Sequence, residues 1–352
     1  MTTSPWMRAP YEWRTLEASS PSVEVVAGAQ QIHALRIEFQ QWADQRRLPT
    51  TATSCWLFPA VGNDDRAHPW AVVARNPDGA LEGLVVLLDE VIDGQTVTCL
   101  AGTDQGNRGV LPAETPELAE ELGRAVADAL VTRVNGHRVL LGPLDAEDPC
   151  VHAFASALPN AQLIAADPIP VIRQVSPEAR SYLSQGMRRT LRKAKNRLAK
   201  DGRQTTVRYT KDASEIFAVI PQLERVHRDR DHVHGRPSDL DDERARQMWL
   251  KRLEELADNG DLELATLQID GQFAAHALGA TDHPYYRVIE GRFVTEWARY
   301  APGRLLEAAV LQRVLDDDCF DTLDWMTAVA PEKLLATNHA DSMLLVHVDM
   351  RL

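Results

Sequence analysis

The chain has 352 residues, of which 44% are hydrophobic and 25% are charged. This length suggests about two domains, and the composition excludes a disordered chain, a collagen-like fibre and a small disulfide-stabilised scaffold. No stretch approaches the roughly 20 apolar residues of a membrane-spanning helix, and Met1–Ser20 lacks the apolar centre of a secretory signal. The four cysteines are far apart in the sequence and form no CxxC pair. We therefore expect reduced thiols, a cytoplasmic location and no metal site.

The net charge of −13 argues against a general binder of nucleic acid or of anionic membranes. The charge is nevertheless uneven, because residues 188–203 contain eight basic residues and one acid, a local net charge of +7. The rest of the chain carries −20. This basic segment is expected either to bind an anion or to pack against the acidic surface of the protein itself.

The first half of the chain has an α/β pattern. Asp78-Gly79 lies between two apolar runs and predicts a β-hairpin. A helix is predicted further on, because Leu118, Leu122 and Val126 recur every four residues. The predicted elements are strands over 70–75, 81–88 and 95–101, a glycine-rich loop over 102–109, a helix over 116–133, a strand over 137–141 and a short helix over 149–158.

The second half repeats this order. Asp270-Gly271 is again a hairpin signal, and it follows the first such signal by 192 residues. Internal duplication is the simplest explanation, and chance similarity of two α/β domains is the alternative. The predicted elements are strands over 262–269, 272–280 and 285–290, a loop over 291–302, a helix over 303–315, a strand over 322–326, a short helix over 331–338 and a closing strand over 342–351.

Helices are predicted between the two halves. In the basic segment, apolar residues recur at helical spacing, which predicts a helix with an apolar seam. The seam consists of Met187, Leu191, Ala194 and Leu198. Further helices are expected over 214–227, kinked or split by Pro221, and over 241–259. The intervening residues, 228–240, are expected to form a mobile, functional loop.

The junction between loop and helix at residues 299–304 reads Arg-Tyr-Ala-Pro-Gly-Arg and is a candidate phosphate site. The free N–H groups at a helix start attract anions, and Pro302 is typical of a first helical turn. Gly303 lets an anion approach the backbone, while Arg299 and Arg304 add positive charge. The alternative is an ordinary helix start with proline in its first turn.

Together these motifs resemble the GNAT-like acyltransferases of the CelD/BcsL type. The resemblance rests on the basic helix that begins at Met187, on the Asp-Gly hairpin at Asp270, and on two further segments. These are Leu223-Glu-Arg-Val-His227 with Arg230, and Gly291-Arg-Phe followed by Ala298-Arg-Tyr-Ala-Pro-Gly-Arg-Leu-Leu306. The resemblance is best over residues 181–333.

The resemblance implies an α/β (α+β) fold with two GNAT-like lobes in tandem, each a mixed, largely antiparallel sheet flanked by helices. Fem-type aminoacyl-tRNA-dependent transferases share this fold. An N-terminal lobe, structural or acceptor-binding, is expected over 1–175. A C-terminal lobe that binds the donor and performs catalysis is expected over 176–352, and it includes the basic helix.

Direct acyl transfer to an amine needs a group that removes a proton from the amine and a donor for the oxyanion. Glu290, acting through water, and His276 are the candidate bases, although each can be an ordinary residue of the sheet. Tyr300 is the candidate acid for the leaving thiolate, or else packs under the loop. The resemblance to Fem-type enzymes suggests Lys333 as a ligand of the oxyanion or a phosphate, and a surface lysine is the alternative.

His227, Arg230 and Asp324 are candidates for the acceptor pocket. His227 can instead pair locally with neighbouring charged residues of its own helix, and Asp324 can simply end its strand. No metal site and no tightly bound cofactor are expected.

The leading hypothesis is an N-acyltransferase that uses acyl-CoA, in particular acetyl-CoA, as co-substrate and a small-molecule amine as acceptor. The first alternative is a Fem-type enzyme that uses aminoacyl-tRNA, with the basic helix bound to the phosphate backbone. In that case the contacts come from Arg188, Arg189, Arg192 and Lys195. The second alternative is a non-catalytic nucleic-acid-binding protein, which the charge of the remaining chain disfavours. No hypothesis involves a membrane.

Overall fold

The computed structural model describes residues 22–62, 67–92, 94–103, 107–131, 137–173, 183–326 and 337–350. Its contacts divide the chain into two compact units. The first unit comprises the described residues within Met1–Pro168 and Asp341–Leu352, and the second those within Ile169–Ala340. The predicted C-terminal lobe included 341–352, whereas the contacts assign the described residues 341–350 to the first unit.

The helices and strands follow one another as an α/β chain. None of the described helices is long and apolar enough to cross a membrane. The α-helices are α1 (Ala29–Ala34), α2 (Arg36–Arg46), α3 (Ser54–Leu57), α4 (Pro116–Val131), α5 (Pro149–Ala157), α6 (Gln185–Lys200), α7 (Ala213–Val233), α8 (Glu243–Asp258) and α9 (Pro302–Leu315). The strands are β1 (Ser22–Ala27), β2 (Ala67–Arg75), β3 (Leu81–Ile92), β4 (Gln95–Leu100), β5 (His137–Asp145), β6 (Gln162–Arg173), β7 (Thr205–Thr210), β8 (Leu262–Ile269), β9 (Gln272–Asp282), β10 (Tyr285–Phe293), β11 (Thr322–Asp324) and β12 (His339–Met350).

In the first unit the strand order is β1-β2-β3-β4-β5-β12. The β4–β5 pair is parallel and the other pairs are antiparallel. Strands β2 and β3 are buried almost throughout, which explains their continuous apolar sequence. Leu122 of α4 and Phe154 of α5 pack with Trp70 of β2 in one core. The chain enters the second unit within β6 and returns within β12.

In the second unit the strand order is β6-β11-β10-β9-β8-β7. Only the β10–β11 pair is parallel among these described strands. The predicted hairpin between β8 and β9 turns at Asp270 and Gly271, whose φ angles of 51° and 77° match a type I′ turn. Leu306 and Val310 of α9 pack into the core beside the sheet. The predicted fold class, mixed and largely antiparallel sheets flanked by helices, is confirmed.

Helix α7 differs from its prediction. Pro221 does not split the helix, which extends from Ala213 to Val233. Pro221 lies on the exposed side, where water can bind the carbonyl group that loses its N–H partner. The mobile loop predicted over 228–240 is therefore wrong for residues 228–233. These residues extend the helical surface that carries His227.

Strand β12 is held in the first unit by a buried ion pair. Nη2 of Arg108 donates to Asp341 at 2.6 Å, and Nη1 lies 3.6 Å from Asp145 on β5. Arg108 is 1% exposed, so removing one carboxylate leaves a buried charge poorly compensated. This contact joins residues 233 positions apart in the sequence.

We expect Asp341→Ala to lower the free energy of unfolding of the first unit by about 3–5 kcal/mol, because it leaves Arg108 with one fewer carboxylate in the interior. Denaturant titration followed by tryptophan fluorescence measures this loss. The exposed Asp128 of α4 provides the control, since Asp128→Ala should change stability by less than about 0.5 kcal/mol. Equal losses in the two variants would contradict the assigned role of the ion pair.

Candidate functional site

Strand β10 carries the candidate site, because its pairing changes along its length. On one side it pairs with β9, with a bulge between Val288 and Glu290. On the other side its pairing with β11, within the described residues, ends at Arg287 and Asp324. A bulge re-aims the side chains that follow it and commonly lies next to functional sites. The last residues of β10 are thus paired through β9 alone in the part of the chain that the structure describes.

The Glu290 carboxylate lies between two imidazoles. Oε2 is 3.1 Å from Nδ1 of His227 on α7, and Oε1 is 3.0 Å from Nε2 of His276 on β9. The two histidines are each 1% exposed and Glu290 is 6% exposed. The structure thus brings together three residues that the sequence analysis selected separately.

Glu290 is electrostatically stabilised as a carboxylate. Burial acts to raise the pKa of Glu290, but hydrogen bonds from His227 and His276 and the charge of Arg292 hold this pKa well below its usual range. A carboxylate with so low a pKa is a poor proton acceptor near neutral pH. The geometry therefore favours Glu290 as the group that orients the two imidazoles.

The other nitrogen of His227 faces a second carboxylate. Nε2 lies 3.2 Å from Oδ2 of Asp231, one helical turn further along α7. Asp231 accepts hydrogen bonds from Arg236 at 2.6 Å and from the Ser238 hydroxyl at 2.9 Å. Burial acts to raise the pKa of Asp231, but these two hydrogen bonds, together with the charges of His227 and Arg292, leave the pKa below its usual range. When both of its nitrogens are protonated, His227 donates to Glu290 and Asp231 at once.

His276 is oriented differently. Because the Glu290 carboxylate only accepts hydrogen bonds, Nε2 of His276 carries the hydrogen, and in the neutral ring Nδ1 keeps a lone pair. Nδ1 is buried and has no hydrogen-bond partner among the described residues. An imidazole that donates to a carboxylate through one nitrogen and has no partner at the other has the arrangement of a general base.

Helix α9 starts close to the end of β10. Ala301 has a left-handed conformation with φ of 50°, Pro302 follows, and no described side chain caps the helix. A Cβ atom added to Gly303 would lie 3.1 Å from the ring of Phe293 on β10. The Arg230 guanidinium of α7 lies 4.1 Å from the centre of the same ring. Phe293 therefore connects the helix start with the face of α7 that carries His227.

The predicted donor-binding arginines both have acidic partners. Arg299 forms an ion pair with Asp201 at 2.8 Å, and Arg304 forms one with Glu307 at 3.1 Å. A bound phosphate would therefore share each arginine with its carboxylate partner or displace that carboxylate. The phosphate role of the two arginines remains a prediction.

Other predicted residues lie elsewhere. The Tyr300 hydroxyl donates to Asp201 at 2.7 Å, so its proton is already hydrogen-bonded to a carboxylate. Asp324 is buried and accepts a hydrogen bond from Arg287 at 3.0 Å, which makes it part of an internal ion pair. Lys333 is outside the described residues. The roles predicted for these three residues remain predictions.

Helix α6 exposes the basic residues. Ser184 caps its start by accepting from the Met187 N–H at 3.1 Å. Met187, Ala194 and Leu198 are buried, as the apolar seam predicts, while Leu191 is only half-buried. The four predicted phosphate contacts, Arg188, Arg189, Arg192 and Lys195, are exposed. They line two neighbouring grooves of about 510 and 310 Å³, within the described residues.

Two residues of the site were missed by the sequence analysis. Arg292 follows Glu290 by two residues and therefore shares its face of the strand, and Asp231 follows His227 by four and shares its face of the helix. The spacing of both residues in the sequence could therefore have pointed to them.

In the described part of the chain, no group of three His, Cys, Asp or Glu side chains is arranged to hold a metal ion.

Comparison with known protein families gives one match, which lies within the second unit. Residues 185–334 match the family model described as "Acetyltransferase (GNAT) domain". A search of curated protein sequences gave no match.

Several solved structures share the fold across most of the chain. FemX matches with a TM-score of 0.52 at 10% identity, over 84% of this chain and 90% of its own. A conserved protein of unknown function from Bacteroides thetaiotaomicron matches with a TM-score of 0.51 at 11% identity, over 90% and 97% of the two chains. L-PGS from Bacillus licheniformis matches with a TM-score of 0.50 at 12% identity, over 90% and 92%.

These likenesses concern the fold, because the identities are low. The family match confirms the resemblance inferred from the motifs, because it begins at the basic helix and spans the His227, His276 and Glu290 positions. Residues 185–334 are therefore similar to a GNAT acetyltransferase domain, and most of the chain shares its fold with FemX and L-PGS.

Proposed function

We propose that the protein transfers an acyl group from acyl-CoA to an amine, and that the second unit performs the reaction. The observation that carries this proposal is the buried Glu290 carboxylate between two imidazoles, one of which has a ring nitrogen without a hydrogen-bond partner among the described residues. The site combines a proton acceptor, His276, that is oriented by Glu290 with the start of helix α9, where Gly303 lies next to the Phe293 ring. Acetyl-CoA is the proposed donor.

In the proposed reaction the amine nitrogen attacks the thioester carbonyl carbon directly. Nδ1 of His276 accepts the proton that the amine loses, while Glu290 holds the Nε2–H of the same ring and stabilises the imidazolium that forms. The tetrahedral intermediate then collapses, the C–S bond breaks, and the thiolate takes up a proton. The products are an amide and free CoA. Lys333 is the proposed ligand of the oxyanion.

Donor binding is supported by two features of β10 and α9. The uncapped start of α9 offers backbone N–H groups and the positive end of the helix dipole to a pyrophosphate. Beyond Arg287, the edge of β10 that faced β11 is not paired within the described residues. Backbone groups on such an edge can bind an extended, amide-containing arm as a further strand would.

Calorimetric titration with acetyl-CoA tests the donor. We expect saturable binding in the concentration range typical of enzyme substrates, and we expect Gly303→Trp to abolish it by filling the start of α9. Gly62→Trp, at an exposed glycine of the first unit, is the matched control. Binding that survives in Gly303→Trp would contradict the donor site, and no binding to the unaltered protein would contradict acyl-CoA as donor.

The proposed role of His276 as the base is tested by substitution and an activity assay. His276→Asn should lower the release of CoA thiol in the presence of an amine panel by about 10²–10⁴-fold, with acetyl-CoA binding unchanged. His152→Asn, which alters an exposed histidine of the first unit, should behave like the unaltered protein. Unchanged turnover in His276→Asn would exclude His276 as the base.

A second candidate donor, aminoacyl-tRNA, is favoured by one observation. Arg188, Arg189 and Arg192 line an open groove of about 510 Å³ on α6, and they form no ion pair within the described residues. Phosphate groups of a nucleic acid are natural ligands for such a surface. The same chemistry at the α7–β10 site would then form an amide from an ester donor.

The salt dependence of tRNA binding distinguishes the aminoacyl-tRNA donor from acyl-CoA. If α6 binds tRNA, the affinity should fall steeply as salt rises, and replacing Arg188, Arg192 and Lys195 with Ala should weaken binding and flatten the slope by about 3. Fluorescence anisotropy with a charged-tRNA pool measures both quantities. A slope that is the same in the triple variant would assign α6 to packing and solubility, whereas binding without transfer would favour a nucleic-acid-binding protein.

Glu290 predicts a dependence of stability on pH. Its pKa lies well below the ordinary value of 4.5, so its charge stabilises the fold fully above about pH 4.5 and the contribution is lost as the pH falls through the lowered pKa. Glu290→Gln should cost about 3 kcal/mol at pH 7, and its difference from the unaltered protein should shrink in acid. Glu254→Gln, at an exposed position of α8, should keep the acid dependence unchanged.

Urea unfolding at a series of pH values provides this measurement. A difference between Glu290→Gln and the unaltered protein that stays constant from pH 7 into the acid range would contradict a lowered pKa. The same series on Glu254→Gln separates the contribution of Glu290 from the general effect of protonating surface carboxylates.

A further inference from the structure

Two guanidinium groups lie near the end of β10, one on β10 itself and one on α7. Arg292 donates to the Gly291 carbonyl at 3.2 Å and lies 3.4 Å from Nε2 of His227. Arg230 lies over the Phe293 ring and contacts His234 at 2.8 Å. Within the described residues, neither arginine forms an ion pair. Burial, followed by the charge of Arg292, lowers the pKa of Arg230, while the charge of Asp231 acts in the opposite direction.

The neighbouring carboxylates are already occupied. Glu290 accepts from His227 and His276, and Asp231 accepts from Arg236 and a serine hydroxyl. The two guanidiniums therefore form a cationic patch beside a buried acidic cluster whose direct hydrogen bonds go to other residues. Guanidinium groups without a direct ion pair are suited to binding an anionic ligand.

Two buried atoms of this region have no hydrogen-bond partner among the described residues. They are Nε of Arg292 and Nδ1 of His276. Their residues are directly opposite one another in the β9–β10 ladder, so their side chains share one face of the sheet. One atom is a donor and the other, in the neutral ring, an acceptor. A ligand that satisfies both must present an acceptor and an N–H group a few bonds apart.

We propose that the acceptor substrate is an amine that carries a carboxylate, as an amino acid or short peptide does, with the carboxylate bound by Arg292 and Arg230 and the amine facing His276. This inference rests on the proposed function, since it assigns the acceptor of the same reaction. Arg292 and Arg230 are then specificity-determining residues, because a guanidinium fork matches the planar carboxylate. An amine that lacks the carboxylate leaves Nε of Arg292 buried and unpaired, which penalises its binding.

The test compares the standard amino acids and dipeptides with their carboxamides, which differ only in the anionic group. Ligand-observed NMR on the full-length protein measures binding, with and without acetyl-CoA. We expect at least one carboxylate to bind about tenfold or more tightly than its carboxamide. Arg292→Gln and Arg230→Gln should each remove this preference. Arg225→Gln, at an exposed position of α7, should retain it.

A kinetic readout separates binding from chemistry. For an amine that is turned over, Arg230→Gln should raise KM for the acceptor with little change in kcat, whereas His276→Asn lowers kcat. If carboxylates and carboxamides bind equally well, or if neither binds, the assignment of the acceptor is overturned. Acetyl-CoA binding is measured separately, so a protein that binds the donor but shows no carboxylate preference retains the proposed function and loses only this inference.

Discussion

The second unit is organised around a carboxylate that must stay charged in the interior. A buried anion is tolerated only when hydrogen-bond donors surround it, and Glu290 obtains its donors from a helix and from the neighbouring strand. The bulge before Glu290, the length of α7 beyond Pro221 and the register of β9 against β10 all serve this one requirement. A shift in any of them would leave either a charge or an imidazole without its partner.

The same arrangement gives the site two sides of different character. On one side, His276 and Glu290 are buried and hydrogen-bonded to each other. On the other, Arg230 and Arg292 carry positive charge without a direct ion pair among the described residues, and the Phe293 ring contacts both Arg230 and the start of α9. Such a cationic patch is suited to ligands that bring their own negative charge. Donor and acceptor would both meet this condition in the functions proposed.

Most of the correct predictions concern helices and hairpins, which depend on patterns of neighbouring residues. The two Asp-Gly hairpins, the helix that contains Leu122 and the basic helix are governed by neighbouring residues, so periodicity and turn chemistry sufficed. Contacts between distant residues were not accessible in this way. The hydrogen bond of Tyr300 to Asp201 and the ion pair of Arg287 with Asp324 depend on which elements pack together, and β12 pairs with β5 across some two hundred intervening residues. His227, His276 and Glu290 were each chosen on chemical grounds, but only the fold shows that they touch.

The path of the chain also sets an order for folding during synthesis. Residues 169–340 form the second unit as one continuous stretch, whereas the first unit needs β12, which the ribosome produces only afterwards. The second unit can therefore fold while the first still lacks the strand that pairs with β5. Until β12 arrives, Arg108 lacks Asp341, and β5 presents an unpaired edge that can recruit the wrong partner. The nascent protein would then be most vulnerable to aggregation shortly before its last strand is made, and a chaperone would be needed longest at its first half.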